Sequence, residues 1–183
     1  MGRNDFQLKK GFTIIEVSLV LAIGGLIFLM VFVALPGLRA SQRDTDRRED
    51  VTKFITQVKS YQKNNRGALP GGSEMSGGEI EVNGSNASGS SSTWGGFYSE
   101  YLGNDFIDPD GEHYNLRVVE CGGDTADADC GVNVSDVNFP NDYTMVVVLR
   151  GSCKGEGTVR TLNSRKLAVL YKLEGAGTYC SNT

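Results

Sequence analysis

Histidine and proline are scarce in this chain, and each scarcity excludes something. There is a single His, His113, and no HExxH, CxxC or GxxxxGKS pattern. That removes metal sites built from several histidines and the commonest zinc and nucleotide motifs. Only 4 prolines accompany 24 glycines, and no Gly-X-Y period links them, so a collagen-like chain is excluded. Basic residues number 18 against 22 acidic ones, a formal net charge of −4. That argues against a dedicated nucleic-acid binder and leaves room only for a local basic patch. The 183 residues allow one domain of moderate size, hardly two. These counts favour a membrane-attached or exported protein over a soluble enzyme.

What is present is a long apolar run. Residues 17–35 contain no charge. At about 1.5 Å per helical residue, roughly twenty such residues cross a hydrocarbon core about 30 Å thick. Arg3, Lys9 and Lys10 precede the run and suggest a cytoplasmic N-terminus. Arg39, Arg43, Arg47 and Arg48 follow it closely, so charge alone does not settle orientation. All four cysteines, Cys121, Cys130, Cys153 and Cys180, lie after the run, which fits a disulfide-forming compartment on that side. A cleaved secretory signal is the simpler alternative, but its apolar core is usually shorter. One residue disturbs a plain membrane anchor. Glu16 sits inside the apolar stretch that starts at Phe12, where a charge costs a few kcal/mol and usually has a partner. It either snorkels at the membrane edge or is paired.

The order Lys9-Lys10-Gly11-Phe12-Thr13-Ile14-Ile15-Glu16, followed by the apolar run, resembles the class III signal of type IV pilin precursors. The match covers roughly residues 9–38; the rest of the chain resembles pilins and pseudopilins only in organisation. The resemblance implies an α+β type IV pilin fold: a long N-terminal helix, half transmembrane and half amphipathic, packed on a small antiparallel sheet. It implies a leader, residues 1–11, removed by a prepilin peptidase between Gly11 and Phe12, with N-methylation of Phe12. It gives Glu16 a role: its carboxylate pairs with the Phe12 amine of a neighbouring subunit and sets register, since an unpaired charge in an apolar bundle is heavily penalised. Many pilins place a proline earlier in the segment; here Gly24 and Gly25 stand in the middle and Pro36 at the end. Gly costs about 1 kcal/mol in a helix and Pro about 3, so Gly24, Gly25 and Pro36 are candidates for local helix melting. Alternatively, the glycines permit close helix packing.

Residues 12–38 are thus read as the transmembrane and filament-core helix, and 39–65 as its amphipathic half. Val51, Phe54, Ile55, Val58 and Tyr61 form one apolar face. Arg47, Asp50, Lys53, Gln57 and Lys63 are read as covering the remainder, with the mixed charges of 43–50 as a solvated or inter-subunit face. Residues 66–113 form a Gly/Ser-rich loop, ending in an aromatic group, Trp94, Phe97, Tyr98 and Tyr101, expected to pack the loop on the helix. Asn83, Asn86 and Asn133 match the glycosylation pattern, common by chance in such composition. Asp108, Asp110 and Glu112 place oxygen ligands at alternate positions, a weak calcium candidate; a Pro109-Asp110-Gly111 turn explains them without metal. No other cofactor is expected. Residues 114–183 are read as an antiparallel sheet, with strands near 114–120, 143–149 and 166–173, the second central. The expected bridges are Cys121–Cys130 and Cys153–Cys180, one of three possible pairings.

No nucleophile–base pair or multi-ligand metal set emerges, so the expectation is a non-enzymatic structural subunit of a type IV pilus. Its expected partners are other pilin copies, the prepilin peptidase, an inner-membrane assembly platform and the lipid bilayer before assembly, with DNA or a host surface as possible contacts. Its expected location is the cytoplasmic membrane, single-pass, before assembly, and an extracellular filament afterwards, serving adhesion, twitching motility or DNA uptake. A pseudopilin of a type II secretion-like machine and a minor pilin are the alternatives. A membrane-anchored enzyme is the competing class, and loss of an activity on changing His113 or the acidic turn would revive it.

Overall fold

A computed structural model describes residues 11–71, 79–122, 125–126, 128–130, 132, 143–155, 157–175 and 177–183. The leader residues 1–10, part of the Gly/Ser-rich loop and the Asn133 acceptor lie outside them. The chain is α+β, with a long N-terminal helix followed by a small, mostly antiparallel sheet. Its contacts divide it into two units between Arg39 and Ala40.

The first unit is the leading part of helix α1 (Ile14–Asn64). It starts at a capping box. Thr13 Oγ1 accepts from the Glu16 N–H (3.3 Å), and Glu16 Oε2 accepts from the Thr13 N–H (2.9 Å) and its hydroxyl (2.8 Å). Behind it the apolar side chains are bare: Phe12 is 89% and Val33 78% exposed. Pro36 sits within the helix without an N–H to donate one turn back.

The second unit, Ala40–Thr183, holds the core. Five strands form one sheet in the order β1 (Ile80–Val82), β2 (Asn115–Glu120), β3 (Thr144–Leu149), β6 (Leu167–Lys172) and β7 (Thr178–Asn182). The β-branched strand β3 is central, as its composition predicts. Its pairing with β2 is parallel, not antiparallel (Leu116 opposite Met145, Val118 opposite Val147). In sequence the two strands are separated by residues 121–143, longer than the dozen or so residues that a parallel pair needs. The other pairings in the sheet are antiparallel.

One sheet face, with Leu116, Val118, Met145, Val147, Leu167 and Val169, packs on Val51, Phe54, Ile55, Val58 and Tyr61 of α1. The aromatic group closes this layer, as expected: Phe97 meets Phe54 and Tyr61 edge-on at centroid distances of 5.8 and 5.7 Å. Short helix α2 (Trp94–Phe97) carries it, capped by Thr93, whose hydroxyl accepts from the Gly96 N–H (3.0 Å). The opposite face is covered too. Val146, Val148 and Leu170 are buried with Cys121 and Cys130. Strands β4 (Gly151–Lys154) and β5 (Gly157–Arg160) form a separate hairpin, tied to the 128–130 segment by Cys130 N–H to Thr158 O (3.1 Å). The disulfides are Cys121–Cys130 and Cys153–Cys180, the second joining β4 to β7. Strand β6 is therefore buried on both faces.

Candidate functional site

Two features hold the chemistry of this chain: the apolar segment with Glu16, and a charged cluster in the domain. In the first, Glu16 is exposed, its carboxylate bonded, among the described residues, to Thr13 of its own chain. Phe12 is adjacent and bare. A Cβ built at Gly11, Gly24, Gly25 or Gly37 meets nothing within 4 Å, so no packing against the described residues requires glycine there.

The second feature corrects the sequence reading of residues 43–50. Arg47 is 2%, Asp50 7% and Asp44 9% exposed, so these are not solvated. They continue the buried face of α1 one and two turns toward its N-terminus: Asp44, Val51 and Val58 recur every seven residues, as do Arg47, Phe54 and Tyr61. The Arg47 guanidinium forks onto both Asp108 oxygens (2.8 and 3.0 Å) and reaches Asp110 (2.8 Å) and Glu174 (2.6 Å). Arg43 adds a second fork onto Glu174 (2.9 and 2.6 Å). Asp44 accepts from the backbone N–H groups of Glu174 and Gly175, both at 2.9 Å. Asp50 accepts from the Tyr114 hydroxyl (3.0 Å) and the Lys53 ammonium (2.7 Å).

The turn at 108–111 is built for this. Gly111 N–H donates to Asp108 O (2.7 Å), and Gly111 takes φ +95°, a conformation that favours glycine. The Asp110 N–H donates to Asp108 Oδ1 (3.0 Å), an Asx turn that aims the carboxylate inward. Tyr171 Oη completes its shell (3.0 Å).

The electrostatics follow from these contacts. Burial pushes the Asp108 carboxyl up, but the Arg47 fork and the Asp110 and Tyr171 donors outweigh it and hold the group below its ordinary value. Hydrogen bonding to Asp108 holds Arg47 firmly charged. The Arg43 fork, with help from Arg47, keeps Glu174 low. Burial, then the nearby Asp108 and Asp50 charges, pushes the Tyr114 phenol far up. Arg47, Asp108 and Glu174 thus stay ionised around neutral pH, and the cluster ties the 108–111 turn and residues 174–175 to α1.

Asp108 and Asp110, two of the weak calcium candidates, are brought together, but around a guanidinium. Glu112 contributes its backbone carbonyl to the Asp108 N–H (2.7 Å), not its carboxylate. Among the described residues no group of three or more His, Cys, Asp or Glu side chains could hold a metal ion. Arg47 itself went unnoticed as a site residue, although the seven-residue spacing with Phe54 and Tyr61 pointed to it. The Thr13-x-x-Glu16 capping box was likewise legible in the order of residues. Glu174 carried no such signal. Compared with known proteins, the chain matches no family model, no curated protein and no solved structure.

Proposed function

We propose that this chain is a structural subunit of a type IV pilus, processed between Gly11 and Phe12 and built into a filament through its apolar helix. One observation carries the reading: a segment headed by Gly11-Phe12-Thr13-x-x-Glu16 exposes nearly all its large apolar side chains, from Phe12 to Leu38. Such a surface needs lipid or other protein to cover it, and the helix is long and apolar enough to cross a membrane. Leaving a bilayer for a filament exchanges apolar lipid for apolar protein, so the gain lies in packing and polar pairing, not in water release. Glu16 supplies the pairing, to the Phe12 amine of a neighbour. Gly24, Gly25 and Gly37, free of any need inside their own chain, suit close approach or local melting beside Pro36.

In this reading the peptidase and the assembly platform act on the chain while it sits in the cytoplasmic membrane. The filament then serves attachment, motility or DNA uptake. The Asp108 and Asp110 carboxylates hold Arg47, a folding role compatible with either machine. The test is the intact mass and N-terminal sequence of the protein in filaments sheared from cells. The expected chain begins at methylated Phe12 and is abundant. A chain starting at Met1 and confined to membranes would overturn the proposal. A processed chain absent from sheared material would favour the pseudopilin or a scarce minor pilin.

A further inference from the structure

Beyond the apolar helix and the charged cluster, one short stretch carries chemistry that the filament reading leaves unused. The chain has a single Asn-Gly pair, Asn83-Gly84, directly after the edge strand β1. An Asn-Gly pair can modify itself. The glycine backbone nitrogen attacks the asparagine Cγ and a C–N bond forms. The side-chain amide leaves with the glycine proton as ammonia. Water then opens the cyclic imide, giving aspartate or isoaspartate. Glycine has no side chain to shield the attacking nitrogen. The reaction needs a polarised carbonyl, a free nitrogen and a backbone turned so that the two meet.

The fold supplies the first of these and withholds the other two. Asn83 is exposed, and its Oδ1 accepts from the Ser85 N–H (3.0 Å) and the Ser85 hydroxyl (2.6 Å). Two donors on one carbonyl oxygen draw electrons from Cγ and steady the oxyanion that attack creates, as an oxyanion hole does. The nucleophile is latched. The Gly84 N–H donates to Asn115 Oδ1 (3.1 Å), and Asn115 is fixed on β2 by its own N–H to Tyr143 O (3.0 Å). Ring closure needs the Gly84 nitrogen to eclipse the Asn83 Cβ, but at ψ 118° that nitrogen is swung well away. The angle has no room to relax, because Gly84 is buried: a Cβ built there runs into Tyr114 O and the Tyr98 hydroxyl. Those two groups are themselves joined, the hydroxyl donating to the carbonyl (2.9 Å).

We propose that Asn83-Gly84 is a self-modification site that the fold holds latched, released when the end of β1 opens. The inference stands apart from the filament reading, because every residue in it belongs to the domain. Opening frees the Gly84 N–H from Asn115 and lets the Asn83 backbone turn. Ser85 follows two positions on in the chain, so its donors stay within reach of the amide. An aspartate product still accepts from Ser85 and lets the strand reclose. An isoaspartate product does not. It adds a methylene to the main chain between Val82 and Gly84, so Gly84 no longer meets Asn115 while Val82 sits opposite Leu116. Strand β2 is then the sheet edge, with unpaired backbone groups along Leu116, Arg117 and Val118 that another chain can join. The reaction turns a reversible opening into a one-way step.

The test uses the full chain, unassembled, in an uncharged detergent at mildly alkaline pH. Peptide mapping follows aspartate and isoaspartate at residue 83 over time. In concentrated urea, with the disulfides intact, Asn83 should convert readily. In native buffer it should convert at least about tenfold more slowly, since releasing Gly84 also frees the buried Val82, whose exposure alone is worth that factor. Asn115→Ala should raise the native rate roughly fivefold, the worth of one hydrogen bond, and leave the rate in urea unchanged. Gly84→Pro, measured in urea only, removes the attacking N–H and should abolish isoaspartate at residue 83. Fluorescence of the buried Trp94 checks that Asn115→Ala is folded. If it is not, the ratio of native to urea rates in the unaltered chain decides. Equal rates in buffer and urea, no conversion in urea, isoaspartate persisting in Gly84→Pro, or a folded Asn115→Ala with an unchanged native rate each overturns the proposal. Because no filament is involved, its failure leaves the pilus reading untouched.

Discussion

Replacing Arg47 by Met keeps much of the side-chain length and removes the charge at the centre of the cluster. Asp108, 2% exposed, then loses both bonds of the guanidinium fork. Breaking one partner out of a buried pair costs about 3–5 kcal/mol. The lower end applies here, because Asp108 keeps the Tyr171 hydroxyl and the Asp110 N–H, each at 3.0 Å. Asp110 and Glu174 are about one-third exposed (34% and 31%), so water takes over their share and they add little. At about 2–4 °C per kcal/mol for a domain this size, a loss of about 3 kcal/mol lowers Tm by roughly 6–12 °C. The single Trp, Trp94, is fully buried in the domain core, so its fluorescence on heating or in urea reports the domain. The pH dependence gives a second check. In the native protein the Asp108 carboxyl lies below its ordinary value, so its stabilisation is complete above about pH 4 and is lost only as pH falls below that. In the Arg47→Met variant, burial without a cation raises that carboxyl above its unfolded value. Its penalty is then largest at neutral pH and fades as pH falls. The gap in Tm between the two proteins should therefore narrow between about pH 7 and 4.5. A loss below about 1 kcal/mol at pH 7, or a gap that is flat with pH, refutes the reasoning. Arg47→Met combined with Asp108→Leu should regain much of the loss, since an apolar pair replaces an ionic one without an orphaned charge.

Three further outcomes follow from the same structure. Glu16→Ala should abolish incorporation into sheared filaments while leaving Trp94-monitored unfolding unchanged, because among the described residues Glu16 bonds only to Thr13; a lowered domain Tm would refute the separation. In the chain-entropy account, Cys153→Ser with Cys180→Ser should cost about 3.5 kcal/mol and Cys121→Ser with Cys130→Ser about 2.6. The order follows from closed segments of 27 against 9 residues, and urea unfolding would expose a reversed order. Gly96→Ala should destabilise by about 1–3 kcal/mol. A Cβ there runs into the Ser90 carbonyl oxygen, a backbone atom with little room to yield, so an unchanged melting curve would contradict the packing of α2.

Periodicity within a segment needs no partner to be read, and several elements were legible for that reason. The uncharged run at 17–35 dictates a helix able to cross a membrane, since nothing else satisfies its backbone in lipid. The i, i+3, i+4 face from Val51 to Tyr61 and the β-branched strand Thr144–Leu149 follow from residue spacing and shape. The Asp108–Gly111 turn follows from residues that favour it. Other features depend on what the chain brings alongside. Strands β1, β4, β5 and β7 sit in Gly- or Ser-bearing or weakly patterned sequence, and pairing with a neighbour makes them strands. The parallel match of β2 with β3 depends on how the two strands meet, which no pattern within either one records. The burial of Arg47 required Asp108 and Glu174, 61 and 127 residues away, and the fastening of the turn before β6 to α1 required Arg165 beside Gln62 across 103. A charge is buried only when a distant opposite charge arrives to hold it. The sequence by itself thus determined which segments are apolar, helical or extended; only the tertiary structure decided which charges are paired inside and which stay at the surface.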